Sequence, residues 1–241
     1  MFIDDAMLRE PNLWIPGRKP LGRVKIDPSH WVSEHIVHCF LDMRHDIASA
    51  VPITHLGGLP QQVREDGDLW TLYTRGDYTW WYTLTDRFSA EQGTVFIQLE
   101  NATTDNQDAM LWEMGTAPSH STLRNYNGTT WDDAFSTVRN ISDVTPARTV
   151  TDPSVYCVSS KAGTNNVAMI EGAPLGELAI TTSVTRSAWG LPAFMAIGYD
   201  DILPTYGYYG WIKHFYIFNK ALSLSEATAL NRDPYQFLIP T

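Results

Sequence analysis

The side chains able to do chemistry are few and unevenly spread. Five of the seven histidines fall early in the chain, at His30, His35, His38, His45 and His55. His35 and His38 are three positions apart, so on a strand they stand on opposite faces and cannot share one metal ion. These histidines are expected at loops and rims. The acidic run Glu65-Asp-Gly-Asp68 has the glycine and spacing of a turn, whereas glycoside hydrolysis needs two carboxyl groups held across a scissile bond. Thr104-Asp-Asn-Gln-Asp108 gathers Asp105, Asn106 and Asp108. These are hard oxygen donors of the kind calcium takes, and the same residues also read as a polar hairpin loop. Cys39 and Cys157 sit in apolar runs and read as buried thiols, with no CxxC and no cysteine–histidine zinc spacing. The Gly-x-Ser-x-Gly elbow, the phosphate loop, the dinucleotide fingerprint and His-Glu-x-x-His are all absent.

Aromatic side chains are the remaining recognition chemistry. Tyr78, Trp80, Trp81 and Tyr82 form one group, and Tyr206, Tyr208, Tyr209 and Trp211 another. Side chains alternate along a strand, so one of Trp80 and Trp81 faces outward. Exposed rings stack on sugars or meet proteins, and buried rings fill a sandwich core. Trp80, Trp81, Tyr206 and Tyr208 are the candidates for glycan or partner contact.

The elements that must position these residues are short strands. Apolar and β-branched runs fall at 35–41, 69–74, 78–84, 94–99, 109–113, 155–160, 166–170, 178–182, 193–198 and 210–218. Turn formers such as Gly57-Gly58, Asp66-Gly67-Asp68 and Arg75-Gly76-Asp77 separate them. That spacing predicts an all-β sandwich or jelly roll. Ser223-Leu-Ser-Glu226 has the form of a capping box and predicts one short helix, stopped before Pro234.

Residues 1–29 read as an extended arm without a ladder of its own, broken by Pro11, Pro16, Pro20 and Pro28. Leu13, Trp14, Ile15, Arg18, Lys19 and Arg23 are its candidates for docking to a partner assembly or to neighbouring copies; its apolar residues Leu13, Trp14, Ile15, Leu21, Val24 and Ile26 either pack on this chain's own domain or reach a neighbour. Residues 30–241 are the domain. The chain of 241 residues carries a net charge of −10, with 44% hydrophobic and 12% aromatic residues. That content excludes global disorder, and the acidic balance argues against nucleic-acid binding by bulk charge. The arm holds five basic and four acidic residues, leaving 12 and 23 beyond it, so it is near +1 and the domain near −11. No run reaches the roughly 18 apolar residues of a membrane span, and the start has neither the basic nor the apolar region of a signal peptide. A soluble chain made without a secretion signal is expected.

One stretch carries a family likeness. Gly210, Ile212, Phe215, Ile217, Phe218, Asn219, Lys220, Ala221, Leu222, Ser223 and Glu226 resemble the closing strand, corner and capped helix of concanavalin A-like, laminin-G-type jelly rolls. Val155–Glu171 is similar to that family's hairpin, and Ala193–Gly198 to the strand that follows it. The segment 12–30 and the tail 233–238 resemble those of such domains encoded in bacteriophage and prophage genomes. Lys213 stands where many members carry an acid, and Ser160-Lys-Ala-Gly163 where many carry an aromatic–Asp–Gly turn.

The resemblance implies a concanavalin A-like β-sandwich with an N-terminal arm and a short C-terminal helix. It also implies a non-catalytic virion structural protein, first a head decoration protein and second a tail or fibre appendage. A carbohydrate-binding module is the alternative. The family's glycoside hydrolases hold Glu-x-Asp-x-x-Glu on one strand, which this sequence lacks. Expected partners are the major capsid protein or other virion proteins, further copies of the chain in a symmetric assembly such as a trimer, and glycans. Neither nucleic acid nor membrane is expected as a partner. Placement on the particle surface after synthesis in the host cytoplasm follows, with no cofactor apart from the calcium alternative.

Overall fold

A computed structural model of the chain describes residues 18–20, 23–49, 51–64, 67–74, 76–82, 92–101, 109–114, 121–126, 130–134, 138–140, 154–161, 165–171, 179–185, 194–197 and 208–241. β1 (Val24–Ile26) and β2 (Ile36–Phe40) flank a 3-10 turn at Trp31–Glu34. β3 (Ile53–Leu56), β4 (Gln61–Val63), β5 (Leu69–Tyr73) and β6 (Tyr78–Tyr82) come next. β7 (Gln92–Asn101), β8 (Ala109–Met114), β9 (Ser121–Tyr126), β10 (Thr130–Ala134) and β11 (Val138–Asn140) follow. β12 (Ser154–Lys161), β13 (Asn165–Glu171), β14 (Ala179–Thr185) and β15 (Phe194–Ile197) precede β16 (Gly210–Phe218), α1 (Leu224–Arg232) and β17 (Leu238–Pro240).

One sheet runs β14-β13-β12-β7-β16-β5-β4, with β2 also against β16, and the other runs β11-β10-β9-β8-β15-β6-β3. The pairs within them are antiparallel. The chain is an all-β sandwich with a short C-terminal helix, as the sequence predicts. No helix among the described residues is long and apolar enough to cross a membrane.

β16 is the spine. It pairs with β7 along its length, with β5 at Gly210–Ile212 and with β2 at Phe215–Phe218. Residues 212–218 are all buried, so both faces of this strand are covered. One face joins Phe96, Tyr216, Phe218 and Cys39 to Leu222, Ala227, Leu230, Tyr235 and Phe237 in a single cluster; the helix and tail are the lid over that face. Across it, Cys39, Tyr216, Phe96 and Cys157 stand in one row on β2, β16, β7 and β12. Both thiols are free and buried, as expected. Three strand spacings of about 4.8 Å separate them, well beyond disulfide reach. Burial pushes the Cys157 thiol up to about 12.

Gly210 opens β16 for a steric reason: a Cβ there would overlap the Glu100 carbonyl and the Tyr208 hydroxyl. At the far end, the Thr94 hydroxyl donates to the Lys220 carbonyl (2.7 Å) and accepts from Leu222 N–H (2.9 Å). Ser159 donates to the Leu222 carbonyl (2.8 Å). These two buried hydroxyls fix the corner that swings the chain into α1. Ser223 then caps the helix, and its capping box with Glu226 is complete. Burial opposes ionisation of Glu226, yet bonds from Lys220 and Ser223 outweigh it and hold its carboxyl below the ordinary carboxylate range.

The arm departs from expectation. Val24, Lys25 and Ile26 pair with Pro240, Ile239 and Leu238 in a two-stranded ladder. Val24 and Ile26 pack against the main core. The partner strand lies over 200 positions away, and a local reading of prolines cannot see it.

Candidate functional site

The described residues form a cleft of about 680 Å³ between the root of the arm, the loop after β2 and the open flank of β4 and β5. That size suits a small ligand, for which pockets of roughly 300–1,000 Å³ are usual. Pro20, Val24, Leu41, Ile47 and Leu69 make its apolar lining, and Lys19, Arg23, Asp42, His45, Gln61 and Thr241 its polar one.

Its main wall is the loop 41–49, built on one carboxylate. The Asp46 side chain is fully buried. Its Oδ1 accepts from the N–H groups of Cys39 (2.8 Å) and Ala48 (3.0 Å), and its Oδ2 from His38 Nδ1 (2.6 Å) and the Ser49 hydroxyl. A buried carboxylate is tolerable only when its lone pairs are used in this way. His38 is therefore a core residue of β2, fully buried, where a loop or rim position was expected. Asp42 repeats the device nearer the surface. Its Oδ1 accepts from Arg44 and His45 N–H (2.9 and 3.0 Å), and its Oδ2 from His45 Nδ1 (2.7 Å). Burial raises the Asp42 pKa, but these bonds prevail and leave the carboxyl below its ordinary value.

Two non-glycine residues with left-handed backbone lie here, Met43 at φ 59° and Leu59 at φ 39°. Such conformations cost of order 1 kcal/mol or more and persist where the surroundings fix them. Both side chains are buried, and the Arg44 guanidinium ties the two loops by donating to the Leu59 carbonyl (2.8 Å). Gly57, at φ 95°, lets the β3–β4 connection approach Asp77, which a Cβ would strike. β3 and β4 are the outer strands of the two sheets on this flank, and Leu56 and Val63 on them are 53% and 61% exposed.

The other wall is the root of the arm. Lys19 was expected to be available to a partner, but it is buried in its own domain. Its Nζ donates to the carbonyls of Leu69 (2.6 Å) and Lys213 (3.0 Å), and its N–H to Asp68 Oδ1 (3.2 Å). Lys213 occupies a bulge in β16 between Ile212 and His214, and its ammonium pairs with Asp68 Oδ2 at 2.6 Å. The bulge leaves an extra residue out of the ladder, and the arm's lysine bonds to its carbonyl. Asp68, one acid of the turn-like run 65–68, is thus spent on structure. Arg18 and Arg23 are exposed, and Arg23 stands on the cleft's rim.

Tyr208 was expected at a recognition surface, and this is corrected. Its ring is fully buried beside Tyr73, and its hydroxyl donates to the Glu100 carbonyl at 3.0 Å, over the bare Cα of Gly210. Trp80 and Trp81 are on β6, in register with Ala196 and Met195 of β15; their side chains fall outside what is described. Leu13, Trp14, Ile15, Tyr206 and the calcium candidates Asp105, Asn106 and Asp108 lie outside the described residues. Among the described residues no group of three His, Cys, Asp or Glu side chains could hold a metal ion. The residues that do line the cleft, Asp42, His45 and Gln61, were not singled out as a site by sequence. The available signal was the polar run Asp42-Met-Arg-His-Asp46 directly after an apolar strand.

No protein-family model matches the sequence, and no curated protein matches it either. The fold does have solved counterparts. A chain of botulinum neurotoxin type C, whose cell entry depends on interaction with two ganglioside molecules, superposes with a TM-score of 0.60 at 8% identity. The alignment covers 83% of this chain and 51% of that one. The binding domain of botulinum neurotoxin DC, solved with rat synaptotagmin II, gives a TM-score of 0.61 at 8% identity over 83% and 52% of the two chains. A W1238A mutant of HCR/D gives 0.58 at 13% identity over 83% and 52%. At such identities the likeness is one of fold: a β-sandwich shared with receptor-binding domains. This chain spans about half the length of each.

Proposed function

We propose that this chain is a non-catalytic binding domain that holds a glycan in the cleft between the arm root and the loop 41–49. The carrying observation is the cleft itself, an apolar lining rimmed by a small set of oriented polar groups, which is how sites for small ligands are made. The ganglioside binding of botulinum neurotoxin type C supports glycan recognition on a related sandwich, although that protein is about twice as long as the part matched here. A glycan array with the intact chain tests the reading; no bound glycan, or binding unchanged by His45→Ala, overturns the cleft as the site.

The setting we propose is the surface of a bacteriophage particle, with head decoration ahead of a tail or fibre appendage. The phage-like sequence of 12–30 and 233–238 supports it. The arm would tie the domain to the major capsid protein or to neighbouring copies, in a symmetric assembly such as a trimer. Because Lys19 and β1 are built into the domain, the part left for docking is 1–17, and that segment is the one to delete. Loss of particle association with the domain still folded is the expected outcome. A cryo-EM map of the native particle in which no density fits this sandwich sinks the virion assignment.

A further inference from the structure

We infer that His214 is an acid-sensitive latch on the C-terminal tail: a proton taken up there lifts residues 235–241 off the sheet and, through the β1–β17 ladder, loosens a wall of the cleft. As a control on ligand binding this rests on the glycan reading above; the latch itself is tested without a ligand.

The latch is built from one ring. His214 is fully buried on β16, near-parallel to Phe96 and Tyr216 and edge-on to Tyr235. Its Nδ1 is 3.4 Å from the Tyr235 hydroxyl, and its Nε2 has no partner among the described residues. A neutral imidazole leaves one nitrogen idle at modest cost. An imidazolium carries hydrogen on both nitrogens and needs two acceptors, and a buried charge without them costs far more. Tyr235 can supply one. The other charged and titratable groups around the ring do not supply the second. On β16 they are Lys213 and the Tyr216 hydroxyl, which is itself unpartnered among the described residues. The arm brings Lys19, whose Nζ bonds to the Lys213 carbonyl at 3.0 Å, so two ammonium groups already oppose a third positive charge. β2 brings only the Cys39 thiol, opposite Tyr216. The acids of this neighbourhood are Asp68, closed on Lys213 at 2.6 Å, and Asp233, which accepts from Tyr235 N–H at 3.2 Å and moves with the tail.

The charge must therefore be met by water, and one side of the ring can yield to admit it. β16 is paired along both edges, with β7 on one and with β5 and β2 on the other. The tail is held by less. Its backbone is fixed by the three-residue ladder to β1, by Asp27 N–H on the Phe237 carbonyl (2.8 Å) and by Thr241 N–H on the Arg23 carbonyl (3.1 Å). Displacing Tyr235 pulls on that ladder, and Arg23, Val24 and Thr241 at its ends line the cleft. Burial and the two lysines hold the closed imidazole well below the ordinary 6.5, which the opened ring regains. Opening is thus favoured as the pH falls below 6.5, by about 25-fold between pH 7 and pH 5.

The test is hydrogen exchange read by mass spectrometry on the full chain without ligand. Segments 23–27 and 235–241 are expected to be less protected than β7, as local opening requires. Their protection, corrected for the intrinsic pH dependence of exchange, should fall about 25-fold from pH 7 to pH 5. In His214→Phe, which keeps a ring and removes the proton site, the fall should be under about twofold. His214→Gln serves if His214→Phe does not fold, and His30, whose ring lies 6.3 Å from that of Phe237, is unchanged in both. Tail protection equal to that of β7, tail protection indifferent to pH, a fall at 235–241 not shared by 23–27, or a fall that survives the substitution each overturns the latch. The first three are read on the native chain alone. None of them touches the glycan reading, which stands or falls on the array.

Discussion

The closing segment 208–241 and the cleft flank 18–64 are held together by different physics. In the first, apolar side chains do most of the work: Phe215, Tyr216, Ile217, Phe218, Leu222, Leu230, Tyr235 and Phe237 are buried to within 2%, and hydrogen bonds mainly fix its corner. In the second β2 is buried along its length, but β3 and β4 are four and three residues long and largely exposed. Shape there comes from side chains bonded to backbone: Asp46 to two N–H groups, Asp42 to two more, Arg44 to a carbonyl and Lys19 to two carbonyls. A flank this exposed cannot bury enough apolar area to define itself, so polar bonds define it. The closing segment should therefore fail when carbon is removed, and the flank when a carboxylate is.

The largest effect is expected from Phe237→Ala. The ring is fully buried and meets Tyr216 edge-on at 5.3 Å, so its removal should cost about 3–5 kcal/mol in urea unfolding. A loss below about 1 kcal/mol would break the comparison from the apolar side, since the tail would then be an ornament. Next comes Asp46→Ala. It removes the acceptor of the His38 ring, of the Cys39 and Ala48 N–H groups and of the Ser49 hydroxyl, at about 3 kcal/mol. Ile47→Ala beside it should cost only about 1 kcal/mol, because Ile47 is half-buried. The reverse order would show that the flank is an ordinary apolar core after all.

Acid exposes a polar weakness inside the apolar segment. His214 packs near-parallel beside both Phe96 and Tyr216, at 5.5 and 4.8 Å, with Tyr235 edge-on. Its Nε2 and the Tyr216 hydroxyl have no hydrogen-bond partner among the described residues. Burial, with Lys213 and Lys19 nearby, holds its imidazole well below the ordinary 6.5. A lowered histidine pKa means the unfolded chain takes a proton that the folded one refuses. The associated stability is complete above about pH 6.5 and is lost as the pH falls below it. Between pH 7 and 5 the native chain should lose about 2 kcal/mol more than His214→Phe, which keeps the stack and removes the proton site. Parallel pH profiles for the two would show that His214 is not the sensor.

How much of this was legible differs between the two regions for the same reason. Period-two apolar runs and a capping box announce burial, so all ten strands expected from pattern are present, and Ser223 and the two buried cysteines are as read. Pattern is silent on a polar side chain whose partner lies far away in sequence. Thr94 and Ser159 look like solvent-facing strand residues until the corner at 220–222 folds onto them. Lys19 looks like a free cation until the bulge at Lys213 offers it a carbonyl. Tyr208 looks exposed until Gly210 makes room for its hydroxyl. The ladder that β1 joins was illegible for the same reason, because β17 lies at the other end of the chain. The cleft was missed as a site because neither of its walls is a periodic element.

The smallest effect is expected where the two styles meet. Ser223 belongs to the apolar segment yet acts through polar bonds: its hydroxyl accepts from Glu226 N–H, and the Glu226 carboxylate returns a bond to Ser223 N–H at 2.9 Å. Ser223→Ala should cost about 1 kcal/mol and Ser223→Gly only a few tenths, because α1 stays pinned by Ala227 and Leu230 in the core. The carboxyl of Glu226 is lowered from 4.5, so its share of stability is full above that pH and lost as the pH falls through the lowered value. The Ser223→Ala penalty should therefore shrink in acid, as the protonated carboxyl loosens the other half of the box. Urea unfolding of both variants at pH 7 and near pH 4 checks this. A penalty of 3 kcal/mol or more would mean the cap, and not the buried face, holds the helix on the sheet, and the division between the two regions would no longer hold.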